Sequence, residues 1–127
     1  MVGIVVVSHS REIASGTVAL AGQMAGPDVR IEPAGGTSDG GLGTDADRVR
    51  EAIERADQGD GAIVLGDLGS AILTARAVLA GRENGHARLV DAPIVEGAVA
   101  AAVTASAGLA LDDVEHAAKG AAGAAKL

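Results

Sequence analysis

The sequence predicts an α/β domain of three layers, α/β/α, built on a mainly parallel four-stranded sheet in the order 2-1-3-4. Short aliphatic runs alternate with longer segments of helical period, the βαβα rhythm of parallel strands joined by covering helices. Two of those runs, Ile4-Val5-Val6-Val7 and Ala62-Ile63-Val64-Leu65, are apolar throughout, as strands covered on both faces must be. The 127 residues suffice for one core and are too few for two, so a single domain spanning 1–127 is expected.

The first strand is expected over Gly3–Val7, followed by a helix with Ile13, Thr17, Leu20, Ala21 and Met24 on one face. Pro27-Asp28 breaks the chain before a second strand, Val29–Glu32. Its alternation of apolar and charged residues marks it as an edge. A second helix from about Asp45 carries Val49, Ala52, Ile53 and Ala56 on one stripe, with Thr44 and Asp47 resembling a capping box. Gly59-Asp60-Gly61 separates it from the third strand, Ala62–Leu65. Ser70 is the expected N-cap of a third helix bearing Ile72, Leu73, Ala75 and Leu79, closed by Gly81 and Asn84-Gly85. The fourth strand is Ala87–Val90. Beyond Pro93, Val95, Val99, Ala102 and Val103 predict a fourth helix, and Asp112 with Glu115 is expected to cap a fifth. The inward positions of that last helix are Val114, Ala117, Ala118, Ala121, Ala122 and Ala125, a narrow face suited to fraying or to docking on a partner.

Composition removes several function classes. There is no cysteine, which excludes disulfides, thiolate chemistry and zinc clusters, and fits a reducing cytoplasm. The three histidines are scattered, so no metal site is expected. A net charge of −7 without any Phe, Tyr or Trp leaves neither phosphate attraction nor stacking platforms for nucleic acid. No leader and no membrane-spanning run is expected, because Met1 leads directly into the first strand.

In an open parallel sheet, ligands gather at the carboxyl ends of the strands where successive connections diverge. With right-handed crossovers that point lies between strands one and three. Ser8-His9-Ser10 and Gly66-Asp67-Leu68-Gly69-Ser70 emerge there, so an imidazole and a carboxylate leave adjacent strands in the same direction. A carboxylate beside a histidine accepts one ring N–H and leaves the other nitrogen free as a base or nucleophile. Helices beginning near Ser10 and Ser70 point their amino ends at the crevice, where free N–H groups favour an anion such as a phosphoryl group. His9 and Asp67 are therefore the candidate catalytic pair. Ser8, Ser10, Gly69 and Ser70 are the candidate phosphoryl-binding residues, with Thr44 completing the rim.

His86 and His116 are expected at the surface, and Arg11 as a solvated residue of the first helical turn. Gly41-Leu42-Gly43-Thr44-Asp45-Ala46 formally matches a dinucleotide fingerprint, yet a long loop separates it from the second strand. Gly36 and Gly41 have the spacing of a phosphate loop, but Leu42-Gly43 stands where Lys and Ser/Thr are needed. No nucleotide and no cofactor is expected. The Gly35–Gly43 loop is long enough to act as a flap over the site.

Val6-Val7-Ser8-His9-Ser10, Gly43-Thr44-Asp45-Ala46, Gly66-Asp67-Leu68-Gly69-Ser70-Ala71 and Ala92-Pro93-Ile94-Val95-Glu96-Gly97 together resemble the phosphoryl-donor (M) subunits of phosphotransferase-dependent dihydroxyacetone kinases. Their domain is similar to the mannose-family enzyme IIA domains, and the resemblance covers nearly the whole chain. It implies that His9 is phosphorylated by the histidine protein HPr while Asp67 orients the ring. It further implies delivery to ADP held on an L subunit, dihydroxyacetone bound by a K subunit, a cytoplasmic location and a homodimer. Sugar-transport members typically show Gly beside the histidine and a Gly-Gly step after the aspartate. Ser8-His9-Ser10 and Asp67-Leu68-Gly69-Ser70 therefore favour the kinase subunit. The alternatives are a mannose- or sorbose-type sugar-transport component, a module that binds a phosphorylated metabolite without modification of His9, and a structural partner using the Ala face.

Overall fold

The computed structural model describes residues 1–82 and 86–127, so Asn84-Gly85, expected to close the third helix, lie outside the described residues. The elements run β1 (Gly3–Ser8), α1 (Arg11–Ala25), β2 (Ile31–Gly35), α2 (Ala46–Ala56), β3 (Ala62–Gly66), α3 (Gly69–Ala80), β4 (Ala87–Leu89), α4 (Ile94–Ser106) and α5 (Leu111–Gly120), with a short 3-10 turn at Ala121–Gly123. All pairings are parallel and the order is β2-β1-β3-β4, as the sequence predicts. Alternation along the strands divides the core. Ile4, Val6, Ile63 and Leu65 face α1, α4 and α5, while Val5, Val7 and Val64 face α2 and α3. None of the described helices is long and apolar enough to cross a membrane.

β2 lies two residues later than expected. The Arg30 carbonyl accepts from Ile4 N at 2.9 Å and Gly36 N donates to Ser8 O at 3.2 Å, so the even-numbered residues between them face β1. Pro33 opposite Val6 then turns its nitrogen away from the sheet, where a missing N–H costs nothing on an edge strand.

The helices differ from expectation in which face they bury. α1 buries Ala14, Thr17 and Ala21, leaving Ile13, Leu20 and Met24 about half exposed along its flank. α4 likewise buries Gly97, Ala98, Ala101, Ala102 and Ala105 and leaves Val95 and Val103 partly exposed, and α3 turns Leu73 outward. In a core without aromatic residues the helices approach through small side chains, and the larger aliphatics are pushed to the rims. α5 buries only Val114 and Ala118; Ala117 and Ala121 are half-buried, and Ala122 and Ala125 are exposed beyond the helix end.

Three caps also differ. The Asp45 carboxylate, and not Thr44, caps α2 by accepting from Asp47 N at 2.9 Å and Arg48 N at 3.4 Å. Leu68 occupies the cap position of α3, which has no side-chain cap, and Ser70 sits inside the first turn. Asp112 and Glu115 do not cap α5, which starts from Ala110; both accept from the Arg88 guanidinium, at 2.5 and 3.0 Å. An arginine on the neighbouring strand outcompetes the local N–H groups for these carboxylates.

Candidate functional site

β1 and β3 lie side by side, and Val7 is in register with Gly66. The chain therefore delivers His9 and Asp67 to one crevice at the carboxyl edge of the sheet. Asp67 N donates to Val7 O at 3.2 Å, which extends the β1–β3 pairing one residue beyond the strand and fixes the aspartate backbone.

The carboxylate of Asp67 accepts four hydrogen bonds. Its Oδ1 receives His9 Nδ1 at 3.0 Å and Leu68 N at 2.8 Å, and its Oδ2 receives Ser8 Oγ at 2.7 Å and His9 N at 3.1 Å. Burial raises this carboxyl, but the Ser8 hydroxyl, the His9 ring and the two backbone N–H groups outweigh that effect and hold it below its ordinary 3.8. An ionised carboxylate only accepts, so Nδ1 carries the ring proton and Nε2 presents its lone pair. The His9 side chain keeps 24% of its surface accessible and Asp67 12%, so the imidazole is reachable while its carboxylate partner is shielded.

The Ser70 hydroxyl lies against His9 Nε2. It is placed there because the first bond of α3 runs from Ile72 N to Leu68 O at 3.2 Å, which puts Ser70 in the opening turn instead of at the cap. The N–H groups of Gly69, Ser70 and Ala71 consequently have no intrahelical partner. A Cβ on Gly69 would meet nothing within 4 Å, so the crevice beside it is open. An uncapped helix N-terminus beside an imidazole nitrogen met only by the Ser70 hydroxyl is a setting for a transferable anion.

The other candidate residues have internal tasks. Ser8 is fully buried; besides donating to Asp67, its oxygen accepts from Ser10 N at 3.0 Å. Ser10 caps α1 by accepting from Ile13 N at 3.2 Å and donates to Glu12 at 3.2 Å. Thr44 bonds Thr74 at 2.8 Å, and Thr74 donates to the Ser70 carbonyl at 3.0 Å, so Thr44 reaches the site through α3. Thr74 escaped the sequence reading, although its place four residues after Ser70 puts both on one helix face. The Gly35–Gly43 loop is anchored at both ends on the site, by Gly36 N to Ser8 O at 3.2 Å and Gly43 N to His9 O at 2.9 Å. Among the described residues no group of three or more acidic or histidine side chains is arranged to hold a metal.

Residues 3–115 match the family described as the PTS system fructose IIA component. The chain is 42% identical over 120 residues to the PEP-dependent dihydroxyacetone kinase phosphoryl donor subunit DhaM of Escherichia coli, an overlap of 90% of this chain and 25% of that protein. It is 39% identical over 106 residues to the corresponding subunit of dihydroxyacetone kinase 2 from Listeria innocua, over 81% of this chain and 85% of that one. The phosphotransferase subunit DhaM of the PTS-dependent dihydroxyacetone kinase of Lactococcus lactis is 34% identical over 114 residues, 90% of each chain. The chain thus spans a quarter of the Escherichia coli relative and most of the other two. The crystal structure of a protein of unknown function, EF1359, has a TM-score of 0.87 at 35% identity, covering 100% of this chain and 99% of that one. The phosphotransferase system component EIIA of Streptococcus agalactiae shares the fold at a TM-score of 0.72 and 17% identity, over 97% and 93% of the two chains. The chain therefore belongs to the family of the PTS system fructose IIA component.

Proposed function

We propose that the chain is a phosphoryl carrier, the donor component of a phosphoenolpyruvate-dependent dihydroxyacetone kinase, working through His9 Nε2. The observation that carries this reading is the pairing of Nδ1 with Asp67, which leaves Nε2 as the lone-pair nitrogen at an uncapped helix N-terminus. The names of the relatives support the kinase assignment.

In this reading phospho-HPr presents its phosphoryl group in the crevice. The Nε2 lone pair attacks phosphorus, the P–N bond to the donor histidine breaks, and the donor ring departs with the electron pair. The Nδ1 proton stays on the Asp67 side throughout, so Asp67 fixes the tautomer and balances the ring's positive character. The free N–H groups of Gly69 and Ser70 and the hydroxyl of Ser70 hold the phosphoryl oxygens, with Ser8 fixing the Asp67 carboxylate from beneath, Ser10 capping α1 and Thr44 steadying the rim through Thr74. The reverse geometry delivers the group to ADP on an L subunit, which phosphorylates dihydroxyacetone on a K subunit. The protein acts in the cytoplasm as a homodimer.

Incubation with phosphoenolpyruvate, enzyme I and HPr is expected to add one acid-labile phosphoryl group, read by intact mass. Addition of the L and K subunits with ADP and dihydroxyacetone is then expected to discharge it. The family's fructose-component description favours a second reading, in which a sugar-transport IIB protein is the acceptor. Discharge by a IIB protein and not by the L subunit would select it.

A further inference from the structure

The two walls of the crevice come from separate stretches of chain: His9 follows β1, and Ser70 opens α3. The Asp67 carboxylate ties them through the ring's Nδ1. A second tie runs through the end of the Gly-rich loop. Gly43 N donates to His9 O at 2.9 Å, and the hydroxyl of the next residue, Thr44, meets that of Thr74 at 2.8 Å. Thr74 Oγ1 donates to Ser70 O at 3.0 Å. A hydroxyl has one proton, so Thr74 spends its own on Ser70 and Thr44 donates to Thr74. Gly43-Thr44 therefore grips the His9 backbone with one residue and the Ser70 backbone, through Thr74, with the other. The loop before it is braced from within, by Thr37 N on Gly41 O and by Gly41 N on Thr37 Oγ1 and Asp39 Oδ1, each at 3.0 Å, so the grip sits on a fixed arm. Helix stability does not call for this threonine. In a helix interior Thr is poorer than Ala, and a hydroxyl bonded back to the carbonyl four residues earlier tends to bend the helix. Thr104 on α4 makes the same back-bond, to Ala100 O at 2.8 Å, but only Thr74 adds a partner from outside its own helix.

We propose that Thr74 and Thr44 are positioning residues that hold the Ser70 hydroxyl on His9 Nε2 and so set the rate at which that nitrogen takes a phosphoryl group. α3 has no side-chain cap, and Ser70 lies in its first turn, the part of a helix that frays most readily. Pinning the Ser70 carbonyl fixes the peptide between Ser70 and Ala71, and with it the direction of the Ser70 side chain and of the Ala71 N–H. Neither threonine touches the phosphoryl group. Both act through Ser70, whose hydroxyl turns from Nε2 to a phosphoryl oxygen as the new P–N bond forms and the bond to the donor histidine breaks. The effect on rate rests on the carrier reading above; the effect on the His9 ring does not.

Thr74→Val, which keeps the shape and removes the hydroxyl, tests it in the full chain. Thr74→Ser is the rescue, Thr104→Val the control, and circular dichroism reports the fold of each variant. In the free protein, the ¹⁵N chemical shift of His9 Nε2 is expected to move in Thr74→Val toward its position in Ser70→Ala, and to stay at the parent's position in Thr74→Ser and Thr104→Val. In rapid-quench assays with phospho-HPr, Thr74→Val is expected to lower the maximal rate of phosphoryl gain about tenfold with the half-saturating concentration unchanged, and Thr74→Ser to recover it. Thr44→Val, on the other side of the contact, is expected to match Thr74→Val, and the double variant to lose no more than either alone. An Nε2 shift unmoved by Thr74→Val, a parental rate in that variant, a loss that Thr74→Ser does not recover, or additive losses in the double variant would each overturn the proposal. A parent that gains no phosphoryl group overturns the carrier reading instead, and the Nε2 shift then decides the positioning by itself.

Discussion

Asp67 spends both oxygens on four donors, and this decides how His9 behaves. Asp67→Asn is expected to turn the amide's own N–H groups toward donors, release the ring from its tautomer and slow phosphoryl acceptance by about 100-fold. The rate of phosphoryl gain measures the loss, and ¹⁵N chemical shifts of the ring report the tautomer. The same hydrogen bonds set a pH dependence. Because the folded state holds this carboxyl below its ordinary 3.8, its contribution to stability is complete above that value and disappears as pH falls through the lower folded value. The stability difference between the parent and Asp67→Asn in urea titrations is therefore expected to be constant near neutrality and to shrink below about pH 4. Pairing of His9 with Asp67 was legible in the sequence, because strand order alone brings both to the switch point. The directions of the hydroxyls were not: Ser8 turns to the carboxylate and Ser70 to the ring because of hydrogen-bond competition that residue types do not reveal.

Among the elements, the junction of β2 with α1 holds His9 in place. A Cβ on Gly35 would come within 2.7 Å of the Ser10 carbonyl oxygen and 2.8 Å of the Arg11 Cα, so the first turn of α1 needs a bare backbone beneath it. Gly35→Ala is expected to destabilise the fold by about 1–3 kcal/mol in urea denaturation. Since Ser10 follows His9, it is also expected to slow phosphoryl acceptance, whereas Gly22→Ala, where a Cβ meets nothing within 4 Å, is expected to do neither. Element existence was readable from the alternation of apolar runs and helical periods, and the nine α-helices and strands among the described residues fall where that rhythm places them, give or take their ends. Helix faces were less readable. Ranking positions by size favours Ile13, Leu20, Met24 and Val103 as core, yet close helix packing selects Ala14, Ala21, Ala98 and Ala102, which leave room for the neighbouring backbone. Caps failed for a related reason: Asp112 and Glu115 had an arginine within reach on β4, a contact between residues more than 20 positions apart.

At the scale of the whole molecule, the sheet order places the candidate site by geometry. Reversal of direction at β1 opens one crevice, and the chain places its shielded carboxylate, its exposed imidazole and an uncapped helix start there. Fold class and strand order followed from the sequence because two strands apolar throughout require cover on both faces. That Pro33 turns its nitrogen out of the β2 edge became visible only once the register showed which backbone groups point outward. The central claim is that His9 carries a phosphoryl group on Nε2. Its most direct test is phosphorylation by phosphoenolpyruvate, enzyme I and HPr, followed by intact mass and ³¹P NMR, with His9→Ala in parallel. One phosphoryl group on Nε2, absent from His9→Ala, is the expected result; no gain, a gain on Nδ1, or an equal gain in His9→Ala would contradict it.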